Sequence, residues 1–153
     1  MKNRPITTRA DQEKIIRKCV FCNIAMVDPE GKPYVIPMNF GFDGEYIYLH
    51  GSSTGKKVDI LKNNPDVCLS FSTDHELRYV NEEVACSWSM RYRSVLVYGK
   101  AEFIDDPDEK IRCLNLVMAH YTDRKFEYST PAVREVMVFR VKIEKIEGRV
   151  YGY

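Results

Sequence analysis

Apolar and polar positions alternate with a period of two along most of this chain, and the period lengthens to a helical spacing at three places. Residues 11–18 read as a short helix anchored by Ile15 and Ile16. Residues 19–27 then alternate as a strand, and Asp28-Pro29-Glu30-Gly31-Lys32 reads as a turn. A second strand over 34–42 and a third over 45–50 flank Asp43-Gly44, a two-residue hairpin signal of type I′. Ser53 or Thr54 is placed to cap a helix running to Asn63, before Pro65. Residues 67–73 form a fourth strand, followed by a polar loop over 74–91. Val95, Val97, Gly99, Ala101 and Phe103 share one face of a long strand over 94–104. Asp106-Pro107-Asp108-Glu109 combines an N-cap, a first-turn proline and a third-position glutamate, and opens a helix with Ile111, Leu114, Met118 and Tyr121 on its apolar face. Residues 135–146 close the pattern as a strand with Met137, Phe139, Val141 and Ile143 pointing one way. Hairpins with helices inserted after the third and fifth strands predict a mainly β protein. A small antiparallel barrel is favoured, because closure removes exposed edges. A parallel nucleotide-binding sheet would need strands and helices in regular alternation.

A length of 153 residues fits one domain, with residues 1–10 as a flexible lead. The formal charge of +1 supplies no general attraction to nucleic acid or to an anionic membrane. No apolar run approaches the roughly 18 residues that span a bilayer, and the polar N-terminus lacks a signal core. Five cysteines, an odd number, fit reduced thiols and a cytoplasmic location. Cys19 and Cys22 have the spacing of half a metal motif, but an offset of three along a strand puts the sulfurs on opposite faces, and no second pair exists.

Three segments carry candidate chemistry. The first is Pro37-Met38-Asn39-Phe40-Gly41, where a proline interrupts a strand ladder and frees backbone groups. The second runs from His50 to Lys57. It fails as a P-loop, since its glycines are one residue too close and Lys57 precedes Val58, yet amides at a helix start, hydroxyls and two ammonium groups still suit an anion. A capped surface helix with solvated lysines is the plainer alternative. The third is Cys86-Ser87-Trp88-Ser89-Met90-Arg91-Tyr92-Arg93-Ser94, where two guanidinium forks suit phosphate or carboxylate. A charged sheet edge, or a single-strand nucleic-acid patch, would use the same residues. Together the segments suggest a site for a flat, phosphorylated ligand. With no nucleophile elbow and no metal-spaced histidines, a cofactor that carries the reaction itself is favoured.

These segments, in this order and spacing, resemble the pyridoxamine 5′-phosphate oxidase-like, FMN-binding split-barrel proteins. Within them the chain is most similar to the 5-nitroimidazole resistance (nitroimidazole reductase) branch. The residues concerned are Val35 to Gly41, Tyr48 to Gly51 through Gly55-Lys56-Lys57, and Tyr92 to Val95 followed by Gly99. The resemblance implies a six- to seven-stranded antiparallel split β-barrel with short helices, and a homodimer with FMN at the subunit interface. Pro37, Met38, Asn39 and Phe40 would lie along the flavin ring. His50, Ser53, Thr54, Lys56 and Lys57 would meet the phosphate, and the partner chain would bring Ser87, Tyr92, Arg93 and Ser94. His50 is carried over as the catalytic candidate. The implied activity is an FMN-dependent oxidoreductase passing electrons from NAD(P)H to a small planar acceptor. A non-catalytic flavin- or haem-binding sensor or carrier is the alternative, with His50 or His75 as an axial ligand. The chain departs from pyridoxamine-phosphate oxidases by ending without their Arg-Leu-x-Pro-type terminal segment, so vitamin B6 oxidation is not expected.

Overall fold

A computed structural model describes residues 2–153. Its strands are β1 (Asn3–Ile6), β2 (Cys22–Val27), β3 (Pro33–Met38), β4 (Gly41–Phe42), β5 (Tyr46–Ser52), β6 (Asp66–Arg78), β7 (Ser89–Ile104), β8 (Val136–Lys142) and β9 (Lys145–Tyr151). Its helices are α1 (Arg9–Lys18), α2 (Lys56–Asn63), α3 (Pro107–Tyr121) and α4 (Thr130–Glu135), with a 3₁₀ turn at Ala85–Ser87. The strands pair antiparallel in the order β3-β2-β6-β7-β8-β5-β4, and β9 lies against both β7 and β1.

The long strand β7 makes the split. One edge pairs with β6 over Ser89–Lys100, while the other pairs with β9 over Tyr92–Tyr98 and with β8 over Ala101–Ile104. Gly99 stands at the changeover. A Cβ there would sit 2.2 Å from the Lys142 carbonyl oxygen, so only glycine lets the diverging strands stay this close. The second opening lies between β3 and β4, which follow each other in sequence but do not pair. The end of α3 closes it. The Phe40 amide donates to the Tyr121 hydroxyl at 3.2 Å, and that hydroxyl donates to the Val20 carbonyl at 2.6 Å. The backbone group expected to be free for a ligand is therefore satisfied from within. Gly41 permits the contact beside it, since a Cβ there would come within 2.6 Å of the α3 backbone at Leu116 and Val117.

Alternation built the core as its period requires. Ile24, Leu69, Phe71, Val95, Val97 and Phe139 are fully buried inside the barrel. Tyr48 and Val138, on the opposite faces of β5 and β8, are buried with Cys113, Leu114 and Val117 of α3. That helix has the cap expected of it, with Asp106 accepting from the Glu109 amide at 3.0 Å and Pro107 in the first turn. Its buried stripe is nevertheless Lys110, Cys113, Leu114 and Val117, one position off the predicted face, and Tyr121 is exposed because it reaches across to the β3–β4 gap.

Other boundaries shift for physical reasons. The second predicted strand breaks at Asn39–Phe40. At the following hairpin only Gly44 has positive φ, so the turn is not type I′; the Asp43 carboxylate instead accepts the Glu45 and Tyr46 amides. Cys19 caps α1 rather than starting a strand, and it is buried, as is Cys22. Burial raises both thiols, Cys19 to about 11 and Cys22 to about 12, which suits core packing and not metal or redox chemistry. The helix after the third predicted strand is capped by Gly55 at φ +121, not by Ser53 or Thr54. The polar stretch 74–91 is a loop only in part: β6 and β7 extend as a two-stranded arm over residues 74–78 and 89–91, leaving the tip at residues 79–88. The last predicted strand is two, β8 and β9, and β1, inside the segment read as a flexible lead, pairs with β9. No helix among the described residues is long and apolar enough to cross a membrane.

Candidate functional site

The segment from His50 to Lys57 leaves β5, turns at Gly55 and enters α2. It assembles a compact electropositive corner. The Lys57 side chain lies over Gly51, where an added Cβ would come within 2.7 Å of Nζ. Lys56 places its ammonium 4.6 Å from the centre of the Tyr34 ring, which brings the loop to β3. Neither lysine has a carboxylate partner among the described residues, whereas eleven ion pairs occupy cations elsewhere. His50 is half-buried beside them, and its Nδ1 is buried without any hydrogen-bond partner. Burial, and then the charge of Lys57, hold its imidazole below the ordinary 6.5.

That depression fixes a pH dependence. Unfolded His50 gains a proton near its ordinary pKa of 6.5, while folded His50 resists until lower pH. Its contribution to stability is therefore full above 6.5, shrinks as the pH falls below it, and levels off under the folded pKa. Lys57→Met should raise the imidazole titration measured by NMR; an unchanged titration would show that the ammonium does not reach it.

Along β3 the four candidates divide. Pro37 and Asn39 are exposed, but Met38 and Phe40 point into the barrel. Phe40 packs edge-on against Phe71 at 4.9 Å and over His120 at 4.3 Å. His120 does more than end a helix: its Nε2 lies 2.7 Å from the Cys19 carbonyl. Ser53 and Thr54 are exposed, the Thr54 amide donating to the Ser52 hydroxyl at 3.3 Å.

The arginine segment lies elsewhere in the chain. It is an inner strand between β6 and β9, not a sheet edge. Arg91 is paired with Glu76, and Arg93 Nη1 donates to Asp74 Oδ2 at 2.9 Å. Both guanidinium groups stack on the Tyr153 ring, at 4.3 and 3.9 Å. Asp74 sits in a β-bulge at φ +57, with Lys18 and Arg93 on its carboxylate, and these contacts hold its pKa below the usual range despite desolvation. Tyr92 stacks between His75 and Tyr151, Ser94 is half-buried, and Ser87 ties the arm tip by donating to the Asn81 carbonyl at 2.5 Å. Within one chain, then, His50, Lys56, Lys57 and β3 meet, while Tyr92 and Arg93 stand on a different ladder. Sequence reasoning missed Asp74, Tyr34 and Tyr153. A cleft of about 560 Å³ borders Arg93, and three of its four cations are already paired with Asp11 and Asp74.

The sequence model described as pyridoxamine 5′-phosphate oxidase matches residues 8–150. The chain belongs to this family. No curated protein matches it. Among solved structures of similar fold, a candidate 5-nitroimidazole antibiotic resistance protein from Bacteroides thetaiotaomicron is 42% identical. The match covers 97% of this chain and 87% of that one, with a TM-score of 0.88. The flavocytochrome Anf3 from Azotobacter vinelandii superposes with a TM-score of 0.82 at 22% identity, over 99% and 70% of the two chains. An FAD and haem binding protein from Mycobacterium smegmatis gives the same TM-score at 18% identity, over 100% and 75%. At such identities the last two establish the shared fold alone. The split, unclosed sheet of this pyridoxamine 5′-phosphate oxidase family member is common to all three.

Proposed function

We propose that the protein is an FMN-dependent oxidoreductase of the nitroimidazole-resistance type, working as a homodimer with the flavin held between subunits. The observation that carries this reading is the corner at His50–Lys57: two cations without carboxylate partners and a buried imidazole nitrogen without a donor or acceptor. A buried polar atom left unpaired is costly, and a ligand group in reach would remove the cost. Lys56 and Lys57 suit a phosphate dianion, and Gly51 leaves the space through which Lys57 reaches it. Exposed Pro37 and Asn39 offer a flat edge along β3 for a ring, whereas Met38 and Phe40 support that edge from the core.

A bound flavin would supply hydride and electron transfer between a nicotinamide donor and a planar acceptor such as a nitro compound. The chain's own tasks are to fix the ring against β3, to neutralise the phosphate, and to exclude water from the His50 side. Neutral at physiological pH, the His50 imidazole can donate or accept one hydrogen bond at the ring edge without repelling Lys57. Arg93 would reach the phosphate from the partner chain, exchanging part of its Asp74 contact for it.

The purified protein should be yellow, should release FMN on denaturation, and should bleach anaerobically with NADH or NADPH. A colourless protein indifferent to added FMN would refute the reading. A Soret band would favour the haem-binding alternative, for which His50, with its free ring nitrogen, is a better ligand than His75, already 3.1 Å from the Ser72 hydroxyl.

A further inference from the structure

The loop that carries Lys56 and Lys57 does not end in open solvent. Ser53 also lines a cleft of about 420 Å³ with Lys62, Lys110 and Arg134, between α2 and the ends of β7 and β8. A second cleft, of about 320 Å³, shares Lys110, Arg134 and Asp105 with the first and extends it to Tyr128 and Ile111. The two form one groove: Ser53 and Lys62 line one end, Lys110, Arg134 and the Asp105 carboxylate the junction, and Asp108, Ile111 and Tyr128 the other end, so three cations face two acids.

None of Lys62, Lys110 and Arg134 is in an ion pair among the described residues, although eleven pairs form elsewhere in the molecule. Lys110 is 9% exposed, and its ammonium donates only to the Val133 and Val136 carbonyls, at 3.2 and 2.8 Å. Those two carbonyls fix the side chain at the groove wall with no carboxylate on its nitrogen among the described residues. Tyr128 is half-buried, and its hydroxyl is already 3.0 Å from Asn115 Oδ1, which leaves the ring face as its remaining surface.

We infer that this groove receives the adenylate half of a dinucleotide, its phosphate among Lys62, Lys110 and Arg134 and its base beside Tyr128. The inference rests on the proposed flavin site, because Ser53 joins the groove to the loop assigned to the flavin phosphate. That adenylate has two sources. It could be joined to the flavin as FAD, or belong to the nicotinamide donor that approaches a bound FMN. The cations, the aromatic end and the position next to a first phosphate suit either.

Lys62 and Arg134 are exposed and can be reversed without disturbing the core. The test compares the wild type with Lys62→Glu/Arg134→Glu by calorimetry, using ADP, FMN, FAD and, on FMN-loaded protein, NADPH. ADP should bind the wild type and weaken about tenfold or more in the variant, the loss expected for two charge-assisted contacts, while FMN binding stays the same. An FAD affinity that falls in parallel assigns the adenylate to the cofactor; an NADPH affinity that falls assigns it to the donor. If ADP binds neither protein, or binds both equally, the groove is not an adenylate site. Should FMN fail to bind while ADP binds and responds to the variant, the flavin reading fails and the groove stands.

Discussion

Phe40→Ala should destabilise the protein by about 3–5 kcal/mol, the range for deleting a buried aromatic side chain. Phe40 is fully buried, meets Phe71 edge-on, and lies under His120 at the point where β3 and β4 fail to pair. Removing the ring opens a cavity beneath the Tyr121–Val20 link that closes this gap. For a domain of this size such a loss is a large share of the total stability. A urea titration should show a much lower midpoint at unchanged slope. Phe40→Leu, which keeps most of the volume, should cost under about 1.5 kcal/mol. The pair separates two roles for this residue. If Phe40→Ala kept its stability and lost only flavin, the ring would be a ligand contact and its placement in the core would be wrong.

Phe40 also shows what the sequence could and could not carry. Period-two alternation placed Val95, Val97 and Ala101 on the inner face correctly, because that signal depends only on which side of a pleat a residue occupies. The α3 cap was legible for the same reason, its causes lying within four consecutive residues. Ser129-Thr130-Pro131 has a similar pattern, and it caps α4 with the Ser129 side chain accepting from the Ala132 amide. The break between β3 and β4 was not legible: it depends on Tyr121, 81 positions away, satisfying the Phe40 amide. A motif read as ligand-facing thus mixes two exposed residues with two core residues, and only the face assignment tells them apart.

The partners of the arginine segment were hidden from the sequence for a different reason. Two guanidinium groups in a row suggested free donors, but their partners, Asp74, Glu76 and Tyr153, come from a bulge and from the chain terminus. Neither location has a local signature. Asp74 adopts positive φ because its short carboxylate accepts Lys18 and Arg93 in the bulge, an arrangement set by tertiary contacts. By contrast, Lys56 and Lys57 stood at a helix start that read either as an anion site or as a capped surface helix, and the structure leaves both without a carboxylate among the described residues. In this chain a cation's value as a ligand contact follows from whether an acid competes for it.

Lys56 and Lys57 therefore carry the second large effect. Lys56→Glu/Lys57→Glu should weaken FMN about 100-fold or more, corresponding to about 3 kcal/mol from two lost charge-assisted contacts. At pH 8, riboflavin, which lacks the phosphate, should bind the variant as it binds the wild type. The two lysines are not equal. Lys56 is exposed and partly engaged by the Tyr34 ring, so water and salt screen its charge, whereas half-buried Lys57 is held over Gly51. Lys57→Met alone should thus cost more FMN affinity than Lys56→Met, and raising the ionic strength should narrow the gap between wild type and Lys56→Met first. The reversal also adds two negative charges next to His50, which would raise its pKa and return it toward a protonated state at neutral pH. Riboflavin titrations at pH 6 and 8 separate the two consequences: a loss confined to the lower pH belongs to His50, and a loss seen only with FMN belongs to the phosphate. Equal losses of riboflavin and FMN at both values would mean that this corner does not hold a phosphate, and the flavin would have to be sought elsewhere on the barrel.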